Sequence, residues 1–480
     1  MIEQRRKMKN SRMPARRLKA YLRKDVLLVT SDIVICTAAF YIALRLRLDS
    51  HTVLAEAHTG WTLLRAIVYA TTMLLGLIAM GSYPDDPRGL FLGISLRIGA
   101  SFLLGNILLA ACFFIFPVLS ADKVTIFLAQ YFSLVGITIA RTIAMSSVGR
   151  NLLFRRLLVL GAGPNAQNVL DSEQILNHRG STIAGFVSMS GNNDVLVGHG
   201  RTRITGLTSS LVRFADQHHI DEIIVAMDER RGKLPLDQLV ECKATGIKVT
   251  DVAAFFEKEF GRLRLDLISP SYLIFSDGFN FHPAYTFIKR FTDLTLGAVA
   301  FLIVSPLMAI TALAIFCEDG WGSPVIYRQS RVGEHGKVFT MLKFRSMRPD
   351  AEADKLARWA RPNDDRITRV GSLIRRHRID ELPQIFNVLR GDMSFVGPRP
   401  ERPEFVDKLM STIPYYGERH RVKVGITGWA QLCYPYGASE KDAAEKLQYD
   451  LYYTKNRNFF LDVLILLKTV EVVFFGKGAR

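Results

Sequence analysis

Cysteine is scarce in this 480-residue chain and forms no pattern. The five copies, Cys36, Cys112, Cys242, Cys317 and Cys433, stand singly, with no CxxC pair and no ligand-like spacing. A disulfide framework and a cysteine-bound metal are set aside on that ground, and the thiols read as buried groups in a reducing compartment. No cleavable signal peptide precedes the first apolar run. No internal repeat and no low-complexity linker divides the chain. The loop between the first two apolar runs, Leu48 to Thr62, has neither lysine nor arginine.

Positive charge and apolar length are what the chain has in excess. Its formal net charge is +17, and 49% of its residues are hydrophobic. A basic excess alone fits nucleic acid or an anionic membrane surface; the apolar runs decide for the membrane and against nucleic acid. Residues 1–24 form a basic arm (Arg5, Arg6, Lys7, Lys9, Arg12, Arg16, Arg17, Lys19, Arg23, Lys24) that abuts the first run. Runs near 26–46, 62–81, 97–118 and 124–144 are each about 20 residues long, enough to cross a hydrocarbon core as a helix. Arg141, Arg150, Arg155 and Arg156 mark the return after the fourth. The positive-inside rule then puts the N-terminus and everything after residue 150 in the cytoplasm. Arg45 and Arg47 at the outer end of the first run are the exception, read as snorkelling to headgroups.

The character changes at "RRLLVLGAGPNAQNVL", an apolar run, a glycine turn and a helix-like stretch. "STIAGFV", "DEIIVAM" and "GIKVT" follow as short buried-strand runs between polar helical patterns, which predicts a small parallel, Rossmann-like α/β domain over 151–265. Gly161 and Gly163 stand where a dinucleotide fingerprint has its first two glycines, but Ala166 replaces the third. No acidic residue ends a second strand about 20 residues on. A tight strand-to-helix turn is the favoured role, and nucleotide binding there is left open.

A fifth apolar run, Asp293 to Phe316, is also long enough to span, which would put the rest of the chain outside the cytoplasm. Ser305-Pro306 interrupts it, and an internal proline removes a backbone hydrogen bond and clashes with the preceding turn. A bent, re-entrant helix over 294–316 is therefore expected, both ends on one side, the freed backbone served by protein or by the serine. The last stretch, "NFFLDVLILLKTVEVVFFGKG", reads as an interfacial helix or as a core helix of the last domain.

The run "RRHRIDELPQ" sets Asp380 and Glu381 directly behind Arg375, Arg376, His377 and Arg378. Acids at a helix mouth are common on dipole grounds alone, but this density of both signs also fits a site that handles phosphate. Asp380 is expected to N-cap a helix through "ELPQIFNVLR", with Pro383 in its first turn and free N–H groups facing an anion. Lys343 and Arg345 in "KFRSM" alternate along a strand and so share a face. Arg366, Arg375 and Arg399 offer bidentate forks for phosphate, and Pro398 and Pro400 stiffen the backbone around Arg399.

Taken together, "KVFTMLKFRSM", "DDRITRVGSLIRRHRIDELPQIFNVLRGDMSFVGPRPERPEF" and "GITGWAQ" resemble the bacterial sugar transferases. These are also called polyprenyl-phosphate hexose-1-phosphate transferases or monotopic phosphoglycosyl transferases. The resemblance covers about residues 284–480, and the layout resembles the long members of the family. The ending "YDLYYTKNRNFFLDVLILLKTVEVVFFGKGAR" looks like the exopolysaccharide-associated subgroup. Val424 stands where the family usually has proline, and Arg378 where many members have serine.

The resemblance implies a membrane protein of α plus α/β class. It would have a basic arm and four-helix transmembrane bundle (1–150), the Rossmann-like middle domain (151–265) and a re-entrant-helix catalytic domain (284–480). It implies transfer of a hexose-1-phosphate from a UDP-sugar to undecaprenyl or another polyprenyl phosphate in the bacterial inner membrane, at its cytoplasmic face. Asp380 would be the nucleophile, forming a phosphosugar-aspartyl intermediate and releasing UMP. Asp380 and Glu381 would hold Mg2+, with Lys343, Arg345, Arg366, Arg375 and Arg399 on phosphate. Lipid is then a partner, a homodimer is open, and the sugar is not named. Two rivals stand beside this reading. A membrane-anchored nucleotide-sugar dehydratase would want a Tyr-xxx-Lys pair, and Tyr285 and Lys289 have that spacing but lie outside the predicted sheet. A polysaccharide-export scaffold would not need the three motifs together.

Overall fold

Residues 24–47, 61–79, 91–145, 155–178, 180–188, 203–205, 210–230, 234–279, 283–320, 323–348, 366–435, 437 and 439–475 are described by the structure, a computed structural model. The chain divides into two compact units, Met1–Phe255 and Phe256–Arg480. In the first, the four apolar runs form helices α1 (Lys24–Arg47), α2 (Trp61–Ala79), α3 (Phe91–Ile115) and α4 (Lys123–Met145). By length and composition, Leu28–Arg47, Trp61–Ala79 and Lys123–Ile143 could each cross a membrane, and Ser101–Ile115 is a shorter apolar stretch. Phe40, Tyr69, Met73 and Leu77 fill the bundle core. α2 and α3 touch backbone to backbone: a Cβ on Gly76 would lie 2.2 Å from the Ser101 carbonyl oxygen. Asp32 and Arg141, both buried, pair at 2.7 Å between α1 and α4. Charges at such depth persist when each answers the other inside the bundle. At the opposite end, Arg47 pairs with Asp122 at 3.1 Å. The basic arm before residue 24 and the loop 48–60 lie outside the described residues.

The same unit carries a five-stranded, all-parallel sheet in the order β3-β2-β1-β4-β5. Its strands are β1 (Arg155–Leu160), β2 (Ser181–Ser188), β3 (Arg203–Thr205), β4 (Glu222–Val225) and β5 (Lys248–Asp251). Helices α5 (Pro164–Asp171), α6 (Glu173–His178), α7 (Leu211–Gln217) and α8 (Leu236–Ala244) connect them, and α9 (Val252–Phe260) follows β5. Leu157 to Leu160 and Ile223 to Val225 are buried without alternation, as strands covered on both faces must be. The order reverses between β1 and β4, the place where an open α/β sheet receives its ligand. Here Asp228 from the β4 side fills it. The Asn165 N–H at the start of α5 donates to Asp228 Oδ1 (3.1 Å), and a Cβ on Gly163 would lie 2.0 Å from Asp228 Oδ2. The chain's own carboxylate thus occupies the space beside Gly163 at the start of α5.

The second unit contains α10 (Pro270–Phe275), α11 (Pro283–Asp319), the antiparallel hairpin β6 (Ile326–Val332) and β7 (Val338–Phe344), α12 (Arg369–Arg376) and α13 (Gln384–Arg390). β8 (Ser394–Val396), α14 (Pro403–Thr412), β9 (Gly425–Thr427), α15 (Trp429–Cys433), α16 (Glu440–Asn456) and α17 (Phe459–Phe475) complete it. Residues ahead of α11 are bonded into this unit. Leu263 N–H donates to the Gln448 carbonyl (3.0 Å), Trp429 Nε1 to that of Gly261 (2.7 Å), and Lys455 pairs with Glu257 (2.6 Å).

The chain stays helical through Pro306, where the sequence predicts a break. Pro306 cannot donate to the Leu302 carbonyl, and the Ser305 hydroxyl donates to it instead, at 3.1 Å. Both ends of α11 are fixed within the unit. Arg290 donates to the Val388 and Leu389 carbonyls (2.7 Å each), and Glu318 accepts from the Arg369 N–H (2.8 Å) and Val370 N–H (3.2 Å). Tyr285 and Lys289 both reach Asp462 of α17, at 2.8 and 2.9 Å, so their spacing serves packing. α17 behaves as a core helix: Leu461 and Ile465 are buried with Val396 and Tyr453, while Phe460 stays exposed. The thiols divide as well, with Cys36 and Cys242 buried but Cys317 and Cys433 exposed.

The filled crevice makes a prediction. Asp228→Ala should speed hydrogen exchange in the peptide covering residues 161–171, and adding NAD to the unmutated protein should leave that peptide unchanged. Protection by NAD would mean that Asp228 yields to a ligand.

Candidate active site

Asp380 and Glu381 sit in a 3-10 turn, Ile379–Glu381, rather than at the cap of an α-helix. α13 begins only at Gln384, with Pro383 in the capping position at φ −61° and ψ −14°. The expected capping role of Asp380 is thus corrected: the proline, fixed near helical φ, makes the entry, and the acids precede it. At 3.0 residues per turn, neighbouring side chains diverge by about 120°. Two adjacent carboxylates can therefore meet different surroundings. The turn is entered through Arg378 in the left-handed region, φ 54°, which costs a non-glycine residue about 1 kcal/mol.

Glu381 faces inward. Its Oε1 receives Lys343 Nζ at 3.1 Å and Arg399 Nη2 at 2.9 Å, and Arg378 lies 3.6 Å from Oε2. Burial alone would raise its pKa, but Arg399, Lys343 and Arg378 together hold it well below the usual carboxylate range. Asp380 goes the other way. Burial pushes its pKa above the ordinary value and the Glu381 charge adds to this, against the pull of Lys343 and Arg375. Among the described residues no ion pair engages Asp380. One acid is locked as an anion; the other is a more basic and available carboxylate. Burial also lowers the Lys343 pKa, and the Arg399 charge lowers it further, while Glu381 and Asp380 oppose that shift.

Each partner is placed by a different element. Lys343 stands on β7 opposite Tyr327 of β6. The other edge of β7 is held by Asn387 of α13, whose amide donates to the Thr340 carbonyl (2.8 Å) and accepts from the Leu342 N–H (3.0 Å). A side-chain amide thus imitates a third strand and fixes the helix after the dyad to the strand that bears Lys343. Arg399 sits between Pro398 and Pro400, where β8 and β9 approach closely: a Cβ on Gly425 would lie 2.1 Å from the Gly397 nitrogen. Arg419, buried with Asp450 at 2.8 Å, donates to the Arg399 carbonyl at 2.9 Å.

Of the residues singled out from sequence, the structure gathers Lys343, Asp380, Glu381 and Arg399, with Arg375 of α12 close enough to act on Asp380. Arg345 goes elsewhere. β7 ends at Phe344, so the alternation with Lys343 stops, and the Arg345 guanidinium donates to the Pro324 carbonyl. Arg366 lies beside Arg348, whose N–H donates to its carbonyl at 3.0 Å. Asn387, Arg419 and Asp450 were not read from sequence. Their partners lie far along the chain, and only the unusual "QIFNVLR", a polar residue on an apolar helix, carries a signal.

A divalent cation is compatible with the dyad. No group of three or more His, Cys, Asp or Glu able to hold a metal occurs among the described residues. Two adjacent carboxylates, of which Asp380 makes no ion pair among the described residues, are a donor set that Mg2+ could take while keeping much of its shell for water and substrate phosphates.

The arrangement sets two acids among several cations within the unit that contains the apolar helix α11. Residues 284–476 match the family model for bacterial sugar transferases. The chain is 32% identical over 369 residues to UDP-glucose:undecaprenyl-phosphate glucose-1-phosphate transferase of Escherichia coli (strain K12), covering 74% of this chain and 77% of that protein. It is 43% identical over 242 residues to UDP-N-acetylgalactosamine-undecaprenyl-phosphate N-acetylgalactosaminephosphotransferase of Aeromonas hydrophila, covering 50% of this chain and 56% of that one. It is 31% identical over 334 residues to undecaprenyl-phosphate glucose phosphotransferase of Komagataeibacter xylinus, covering 68% and 60%. The chain belongs to the bacterial sugar transferase family.

Asn387→Leu keeps the volume but strands the Leu342 N–H and the Thr340 carbonyl. Losing those bonds should cost on the order of 2 kcal/mol. The thermal transition of the detergent-solubilised chain should fall; an unmoved transition would show that β7 does not rely on this amide.

Proposed function

We propose that the chain transfers a hexose-1-phosphate from a UDP-sugar to undecaprenyl phosphate at the cytoplasmic face of the bacterial inner membrane, as a first step in building exopolysaccharide or another lipid-linked glycan. The observation that carries this reading is the split between Asp380 and Glu381. A locked anion holds two cations at the site, and beside it stands a carboxylate with a raised pKa that makes no ion pair among the described residues. Environments that push two acids apart assign them different roles. The relatives' names, which pair UDP-sugars with undecaprenyl phosphate, supply the substrate classes.

In this mechanism an Asp380 oxygen attacks the sugar-side phosphorus. The bond from that phosphorus to the bridging oxygen breaks, its electron pair leaves with UMP, and an acyl phosphate bearing the sugar remains. An oxygen of the lipid phosphate then attacks the same phosphorus and restores the carboxylate. A carboxylate attacks as the anion and so needs no separate base to remove a proton from the nucleophile. Lys343, Arg375 and Arg399 answer the charge that collects on the phosphoryl oxygens. Mg2+ held by Asp380 and Glu381 would supply further charge neutralisation at the diphosphate.

Membrane topology belongs to the same proposal. At 1.5 Å per residue α11 is about 55 Å long, well over the hydrocarbon thickness. Arg290 near its start and Glu318 near its end both bond to helices of the catalytic unit, which supports a re-entrant course with both ends on one face.

Two experiments test the reading. With UDP-sugar and Mg2+ but no lipid, the enzyme should release at most about one UMP per active site and gain a phosphohexose mass, and Asp380→Asn should lose both. An active preparation with neither burst nor adduct would rule out the covalent route. For topology, Cys317 and an Asp277→Cys variant, each alone in a cysteine-free background, should both react with an impermeant maleimide only after the inner membrane is opened. Labelling of one from outside would overturn the re-entrant course.

A further inference from the structure

The turn that carries Arg399 has a shortage of internal hydrogen bonds. Pro398 and Pro400 have no N–H, so three successive carbonyls need donors from elsewhere. They come from three elements. Gly425 N–H of β9 serves Pro398 (2.9 Å), Arg419 serves Arg399 (2.9 Å), and Arg331 Nη1 of β6 serves Pro400 (3.1 Å).

Arg331 differs from the other donors in being aimed by its own strand. Gln329 Oε1 accepts from its Nε at 3.0 Å and its Nη2 at 2.6 Å, which leaves Nη1 for the Pro400 carbonyl. Glu401 lies 3.6 Å from the same Nη1, and Val332 N–H donates to the Glu401 carbonyl at 2.9 Å. Gln329 also donates to the Tyr327 hydroxyl at 3.2 Å, and Tyr327 pairs across the hairpin with Lys343. One face of one hairpin therefore bears Lys343, which reaches Glu381 directly, and Arg331, which holds the turn whose Arg399 reaches the same Glu381 oxygen.

The geometry points to Arg331 as a positioning residue for the transfer reaction. It touches neither acid; it sets the height of the Pro398–Arg399–Pro400 turn so that Arg399 and Lys343 meet Glu381 Oε1 from two sides. Gln329 is the residue that orients it. A strand-borne clamp suits the task, because misplacement of about 1 Å in a charged site can cost about 100-fold in rate.

The inference rests on the function proposed above, so UMP release by the unmutated chain, in membranes with undecaprenyl phosphate and a UDP-sugar, is the control. No release from it would sink that reading; release would leave this one to be judged by the variants. Arg331→Ala should lower kcat by about 100-fold with little change in KM for the UDP-sugar. Gln329→Ala, which keeps the guanidinium but loses its guide, should show a smaller loss of the same kind, and Arg331→Lys should recover part of the Arg331→Ala loss. In an Arg399→Ala background, where the turn no longer carries a charge to Glu381, Arg331→Ala should cost little more. Multiplying losses in that double variant, a change confined to KM, or a fully active Arg331→Ala would each overturn the assignment. Should Arg331→Ala fail to fold, the same cycle run with Arg331→Lys and Gln329→Ala decides it.

Discussion

Everything at the site turns on the buried negative charge of Glu381. A carboxylate at that depth is costly unless it is answered at close range, and here Lys343 and Arg399 share one of its oxygens. The arrangement runs in both directions: the acid needs the cations, and the acid holds the cations together. It also frees Asp380. The next residue back in a 3-10 turn points elsewhere, so the pair does not compete for the same partners. The α-helix starts only at Gln384, with Pro383 at its entry, so both acids precede it.

The second constraint is electrostatic fit between helices. Arg290 lies at the carbonyl end of α13, and Glu318 at the N–H end of α12. Each charge sits at the helix end of opposite partial charge, where it is favourable. α12 and α13 flank the dyad turn on either side, so one long helix caps both supports of the chemistry. Asp293 adds a third tie, accepting from Ser394 Oγ at 2.9 Å and Phe395 N–H at 3.1 Å ahead of the Arg399 turn. An apolar helix that only anchored the chain would not need charged residues bonded to its neighbours at such spacings.

What the sequence made legible follows from which forces are local. Membrane thickness sets helix length, so α1 to α4 fall on the four apolar runs. Burial on two faces gives unbroken apolar strands, so β1 and β4 were readable as they stand. The crowd of charge around Asp380 was readable too, because its members are neighbours in the chain. The supports were not. Asn387 acts on a strand more than 40 residues away, and Arg419 on a carbonyl 20 residues away. Arg345 was grouped with Lys343 by alternation, and only the end of β7 at Phe344 separates them. Asp228 shows the same limit in the middle sheet, since no local pattern says that a carboxylate will close the glycine turn.

The exposed apolar residues give the charged site its setting. Leu302, Ile303, Ile310 and Leu313 project from α11, and Leu373 of α12 and Phe386 of α13 are exposed as well. Phe386 meets Phe301 of α11 edge to face, with ring centroids 5.3 Å apart. The two helices beside the dyad thus have apolar residues outside and carry the acids and arginines between them. A surface apolar on that side and ionic a few residues away matches an amphiphile whose phosphate and hydrocarbon must be held apart. Water alone would not stabilise so many exposed leucine, isoleucine and phenylalanine side chains, and lipid alone would not tolerate Glu381 and its cations. A boundary between the two satisfies both halves of this surface, and that is the physical ground for the lipid-phosphate substrate proposed above.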